Sequence, residues 1–185
     1  MGAEGELPME RLRPYRRRSA VDYAHVWAYG RNPIFYDYDK LGGDCTNFAS
    51  QCILAGTGVM NYTPTFGWYY LDPNNKAPAW TGVEFLHNFL IRNETTPGPV
   101  ALVLRDLALA EPGDVIQLRF RGEVFQHSPV VVATDFSGDP SGILLAAHSN
   151  DADFRPLNTY SYEEYRILHI IGYYGETERK QTESV

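Results

Sequence analysis

Cysteine is scarce in this sequence, with only Cys45 and Cys52 among 185 residues. Two thiols cannot build a disulfide scaffold. If both lie on one helix, they stand about 10 Å apart along its axis, beyond the roughly 7 Å Cα separation a disulfide tolerates. Both are therefore expected as free thiols. Positive charge is also in short supply: 16 Lys and Arg against 23 Asp and Glu leave a formal charge of −7. That balance argues against binding nucleic acid by neutralising phosphates. No apolar run approaches the roughly 20 residues that cross a bilayer. A charged start followed by an apolar stretch and a small-residue cleavage site is missing too, so cytoplasmic residence is expected, or secretion to the cell wall if a leader has been removed. The Cys and His residues show none of the close spacings of a zinc site. Gly56-Thr57-Gly58 lacks the strand and lysine of a phosphate-binding loop. Neither a metal nor a cofactor is expected.

What remains has the composition of one globular domain: 44% hydrophobic, 21% charged and 14% aromatic residues in a chain of ordinary domain length. Thirteen tyrosines suit a wet cleft, since each offers an apolar ring with a polar tip. Residues 1–13 read as a flexible arm, 14–175 as the domain and 176–185 as a solvated tail. The basic run from Arg11 to Arg18 reads as a solvated helix entry. Ser19 is expected to cap a helix with the stripe Val21, Ala24, Ala28, ending at Gly30. A second helix is predicted over 44–54, closed by Gly56, and a third over 83–92, capped by Thr81. Between them, residues 57–80 form a long loop rich in Gly, Pro, Asn and aromatics, the kind that often carries function. Pro97-Gly98-Pro99 breaks the chain. The period then changes, predicting strands over 115–120, 124–134, 143–148 and 167–174, with turns at Gly122, 137–141 and Arg155-Pro156. Helices followed by an antiparallel meander define an α+β fold.

Chemistry concentrates in Gly42-Gly43-Asp44-Cys45-Thr46-Asn47-Phe48. Two glycines permit positive φ and close backbone approach, and they put Cys45 in the first turn of a helix. Asp44 stands at the N-cap position. Unpaired N–H groups and the positive dipole end favour a thiolate there and can hold an oxyanion, although the charge of Asp44 opposes thiolate formation. The alternative is a buried cysteine acting as a small hydrophobe. Cys52, two turns on, fits that role. A nucleophilic cysteine needs a base. His127 and His148 each stand at a strand end, so one can act as base and the other orient it if the strands pair. His25, His87 and His169 read as structural.

The blocks Gly-Gly-Asp-Cys-Thr-Asn-Phe-Ala-Ser-Gln (42–51), Gly-Trp-Tyr-Tyr (67–70), Pro-Gly-Asp-Val-Ile (112–116), His-Ser (127–128) and His-Ser-Asn-Asp (148–151) resemble the bacterial putative amidase domain. That domain belongs to the papain-like cysteine peptidase superfamily and is related to NlpC-type and CHAP cell-wall hydrolases. The resemblance implies a nucleophile helix packed on an antiparallel sheet, with Cys45 as nucleophile and His127 as general base and acid. Papain places an Asn third and NlpC-type relatives a His, which implies His148, with Asn150 as its rival. The oxyanion donors implied are the Cys45 N–H and a side chain upstream, Tyr36 or Tyr38. Substrate would lie against Tyr36, Tyr38, Asp44, Trp68, Tyr69 and Trp80. The activity implied is metal-independent amide cleavage through a thioester, in a peptide or peptidoglycan-derived substrate, by a monomer. A peptide-binding module without catalysis and an acyl transferase are the alternatives. Pro129, directly after His-Ser, interrupts a predicted strand where relatives carry an aliphatic residue.

Overall fold

A computed structural model describes residues 11–175. The predicted arm (1–10 of it) and the tail from 176 lie outside the described residues. Arg13 is already tied to the domain, exchanging both backbone hydrogen bonds with Tyr173 at 2.8 and 3.0 Å.

Helix α1 (Arg17–Trp27) begins two residues before the expected cap, so Ser19 lies inside it and no side chain caps its N-terminus. A short 3₁₀ turn (Asp39–Leu41) leads through Gly42 and Gly43, at φ 106° and 110°, into α2 (Cys45–Thr57). Helix α2 runs past the expected stop to Gly58, which adopts the left-handed conformation and returns its N–H to the Leu54 carbonyl. Gly56 serves a different need: a Cβ there would meet the Tyr15 ring at 2.1 Å. Eleven of the thirteen α2 residues are buried, making it the central helix. The aromatic loop forms a small hairpin, β1 (Tyr70–Asp72) and β2 (Asn75–Lys76), then the turns α3 (Pro78–Thr81) and α4 (Val83–Arg92). Thr81 therefore ends α3, and Gly82 occupies the N-cap position of α4.

The strands are β3 (Gly98–Leu104), β4 (Val115–Arg119), β5 (Val130–Thr134), β6 (Ile143–Ala147), β7 (Ala152–Pro156) and β8 (Glu164–Tyr174). They form one antiparallel sheet in the order β3-β8-β4-β5-β6-β7. Of the four strands expected to form a meander, only β4, β5 and β6 follow one another in the sheet, and β7, which falls where a turn at Arg155-Pro156 is expected, extends the run. Strand β8 inserts between β3 and β4, and β3 starts inside the Pro97-Gly98-Pro99 segment that the sequence marks as a chain break. Pro99 is tolerated because β3 lies at the sheet edge, where a missing N–H costs no ladder bond. The segment predicted as one strand over 124–134 is paired regularly only from Val130 on. Alternating residues feed two cores. Val115, Val130, Val132, Leu168 and Ile170 pack with α1, α2 and the aromatic loop. Ile116, Leu118, Val131, Leu145 and Ile167 pack on the other face with Leu107 and Leu157. No helix among the described residues is long and apolar enough to cross a membrane.

Candidate active site

Cys45 opens α2, and its N–H meets no backbone or side-chain acceptor among the described residues, as expected for a first helical turn. Asp44 occupies the N-cap position without capping. Its carboxylate instead accepts from the Tyr38 N–H at 2.9 Å, Asn47 Nδ2 at 2.8 Å and His148 Nδ1 at 2.5 Å. This buried acceptor folds residues 38–44 back onto the helix start, while the Asp44 N–H donates to Ser149 Oγ at 2.8 Å. Arg31 reinforces the same loop by pairing with Asp39 and with Asp151 at 2.9 Å.

His127 reaches this helix end through its neighbour. Pro129 offers no N–H to the sheet ladder, yet the pairing with β4 continues through it: the Ile116 N–H donates to the Pro129 carbonyl at 2.9 Å and an isolated bridge to Leu118 holds His127. Thr46 Oγ1 donates to Ser128 Oγ at 3.1 Å, and Gln117 Nε2 donates to the same oxygen at 3.2 Å. The first turn of α2 is thus fastened to the residue after His127. Cys45 and His127 are each only 7% exposed. Burial raises the Cys45 thiol above its ordinary value, and the Asp44 charge adds to this; Thr46 and the backbone amides of Ser128 and Thr46 partly offset it. Burial, with a smaller push from the Arg155 guanidinium, lowers the His127 imidazole to about 4. At neutral pH the pair rests as thiol and neutral imidazole, not as the thiolate that the helix dipole alone would favour. A neutral imidazole has the protonation state a general base requires.

Residues 14–171 match the family described as a putative amidase domain. The chain belongs to that family. A protein of Bacillus subtilis (strain 168), the uncharacterised YhbB, is 30% identical over 168 residues, covering 85% of this chain and 50% of the relative. The chain thus spans half the length of that curated relative. No solved structure matches.

Within this amidase domain the other predicted site residues fall into two groups. His148 lies just past β6 with both ring nitrogens engaged, Nδ1 by Asp44 and Nε2 by the Trp27 carbonyl at 2.9 Å, and its ring stacks on Phe48 at 4.0 Å. Neither nitrogen is left to orient His127, so His148 ties α1 and the sheet to the residue before Cys45. Asn150 is exposed, in a left-handed turn at φ 77°. Trp68 and Trp80 are fully buried beneath α2, their indole N–H groups donating to Ser50 Oγ and Asn47 Oδ1. Asp44 is buried as well. Those three residues do not line a cleft: packing against the central helix consumed the surface their composition offered to a substrate. Tyr69 is half-buried beside Tyr62, away from the cysteine's helix start. Tyr38 lines a cavity of about 350 Å³ beside the Gly42-Gly43 turn, together with Leu41, Pro73, Lys76 and Thr81. Its hydroxyl donates to the Pro73 carbonyl at 3.2 Å. Tyr36 is 45% exposed at the rim of this region, its ring against Tyr38.

Two residues that the sequence does not mark as site residues gather beside His127. The Tyr160 ring lies 5.7 Å from the imidazole, centroid to centroid, and the Arg155 guanidinium covers the Tyr160 ring at 3.8 Å. No local motif marks them, since they come from β7 and the irregular segment after it. Among the described residues no group of three or more His, Cys, Asp or Glu side chains is arranged to hold a metal ion.

Proposed function

We propose that this domain is a cysteine amidohydrolase of papain-like type, in which Cys45 attacks an amide carbonyl and His127 moves the protons. The observation that carries this reading is the seating of the 127–128 segment on the first turn of α2, which brings an uncharged imidazole on the residue before Ser128 to the cysteine's end of the helix. On arrival of substrate, His127 takes the Cys45 proton as the sulfur adds to the carbonyl carbon. The carbonyl electron pair moves to oxygen, and the Cys45 N–H at the helix start is oriented as a donor for that charge. Collapse of the intermediate expels the amine, which leaves with the proton from His127, and a thioester remains. Water activated by His127 then releases the acid. The cavity beside Gly42-Gly43, with its Tyr38 ring and Lys76 ammonium, suits a peptide segment next to the scissile bond. Cell-wall peptide is the substrate class we favour, following the resemblance to wall hydrolases.

Release of new amino groups from a library of wall-derived and ordinary peptides tests this. Activity is expected from the wild type and is expected to fall by roughly 10²–10⁴-fold in His127→Ala, with Cys45→Ala inactive. Activity that survives in Cys45→Ala, or binding of the same peptides with no cleavage, overturns the proposal. Addition of amine acceptors distinguishes hydrolysis from transfer by whether a new amide forms.

A further inference from the structure

The Tyr160 hydroxyl is buried and makes no hydrogen bond. Buried polar groups in native structures nearly always have partners, and an orphan calls for a specific explanation. Its surroundings narrow that explanation. The ring is held between the His127 imidazole at 5.7 Å and the Arg155 guanidinium at 3.8 Å. Arg155 is itself fixed, its Nε donating to Thr159 Oγ1 at 2.9 Å and an Nη to the Thr159 carbonyl at 3.0 Å. It makes no ion pair with a carboxylate among the described residues. A phenol with a free donor and an unneutralised guanidinium therefore stand together beside the His127 imidazole. Both would stabilise negative charge, yet the resting site contains a neutral thiol and a neutral imidazole. The charge they await appears only during reaction.

We propose that Tyr160 is a catalytic residue whose hydroxyl donates to the substrate oxygen that becomes negative when Cys45 adds to the carbonyl. This rests on the cysteine mechanism above and adds a donor to it. In the step, the Cys45 proton passes to His127, the C–S bond forms, and the carbonyl π pair becomes a lone pair on oxygen, held by the Cys45 N–H and the Tyr160 O–H. Collapse restores the carbonyl as the C–N bond breaks, and the Tyr160 proton never leaves its oxygen. The phenol is suited to this. Burial raises its pKa above the ordinary value, with the adjoining Arg155 guanidinium offsetting part of the rise, so it stays protonated at neutral pH. The tyrosines upstream of Cys45 are less suited, because Tyr38 spends its hydroxyl on Pro73 and Tyr36 is largely in solvent.

Two reagents separate this role from its rivals without knowledge of the natural substrate. Acetylation of Cys45 by p-nitrophenyl acetate passes through a tetrahedral oxyanion, whereas alkylation by iodoacetamide displaces iodide at a saturated carbon and creates none. Tyr160→Phe is expected to slow acetylation about 10²-fold or more, to leave alkylation at the wild-type rate, and to leave the melting temperature unchanged or higher, since it removes only an unsatisfied hydroxyl. Acetylation unchanged in the variant overturns the proposal. So does an equal fall in both rates, which would mean that Tyr160 acts on the thiol. A wild-type Cys45 that reacts with either reagent no faster than a free thiol instead overturns the cysteine mechanism itself, and the role of Tyr160 with it.

Discussion

A buried imidazole held near 4 has a consequence for stability that is independent of catalysis. The unfolded chain protonates His127 near 6.5, whereas the folded chain resists protonation until about pH 4. Between those values the unfolded state binds more protons, so stability is full above pH 6.5 and is lost as pH falls toward 4. The loss attributable to this one group is on the order of 3 kcal/mol. Denaturant unfolding at pH 7 and pH 4 should show it, and His127→Asn should reduce the difference by about that amount. His148 makes the contrasting case. Its two nitrogens face two acceptors, the Asp44 carboxylate and the Trp27 carbonyl, and removal of the ring strands a buried carboxylate. His148→Ala is expected to destabilise the fold by about 3–5 kcal/mol, measured by the same unfolding curves, with its effect on activity following the loss of structure. The glycine pair made the helix-start position of Cys45 legible from sequence, while the choice of His127 over His148 as the base came with the resemblance. The role of His148 was not legible, because a histidine at a strand end reads the same whether it faces another histidine or an aspartate distant in sequence. Trp68 and Trp80 were misplaced for a similar reason: an aromatic-rich loop looks alike whether it lines a cleft or fills a core.

Between elements, one carboxylate does for the sheet what Asp44 does for the nucleophile loop. Asp114, in the Pro-Gly-Asp-Val-Ile block, is fully buried. It accepts from Arg17 Nη1 at 2.7 Å, His169 Nδ1 at 2.9 Å and the backbone N–H groups of Glu111 and Ile170 at 3.0 and 3.1 Å. It thereby joins α1, β4 and β8. The basic run at the start of α1 looked like a solvated entry from sequence, yet Arg17 is turned inward to this carboxylate and to the carbonyls of Pro112 and Ile170. Asp114→Ala is expected to cost about 3 kcal/mol, or roughly 6–12 °C in Tm for a chain of this size, as a thermal melt would show. The apolar strands were found from their period and the helices from their stripes, while the ends shifted wherever a tertiary partner overruled a local signal. Gly56 continued its helix because the Tyr15 ring lies against it. Strand β7 escaped notice because Asp153, Arg155 and Pro156 give it no alternation.

The molecule as a whole is a helix layer on one face of a six-stranded antiparallel sheet, with loop segments covering the other. The α+β class was readable because helical and strand periods occupy different halves of the chain. The strand order was not, since the insertion of β8 between β3 and β4 depends on pairings 45 (Arg119 with Glu164) to 76 (Gly98 with Tyr174) residues apart that no local pattern records. The same holds for the site. Cys45 comes from α2, His127 from the loop before β5, Arg155 from β7 and Tyr160 from the segment beyond it, and only the sheet topology brings these segments together. The central claim is that two of these, Cys45 and His127, act as one reacting pair. The rate at which p-nitrophenyl acetate acetylates Cys45, followed by mass spectrometry from pH 3 to 9, tests it most directly. The pairing predicts acetylation of Cys45 and not of buried Cys52, a rate that falls only as pH drops through about 4, and its near-abolition in His127→Ala. A rate that simply climbs with ionisation of an ordinary thiol, and that His127→Ala leaves unchanged, would contradict it.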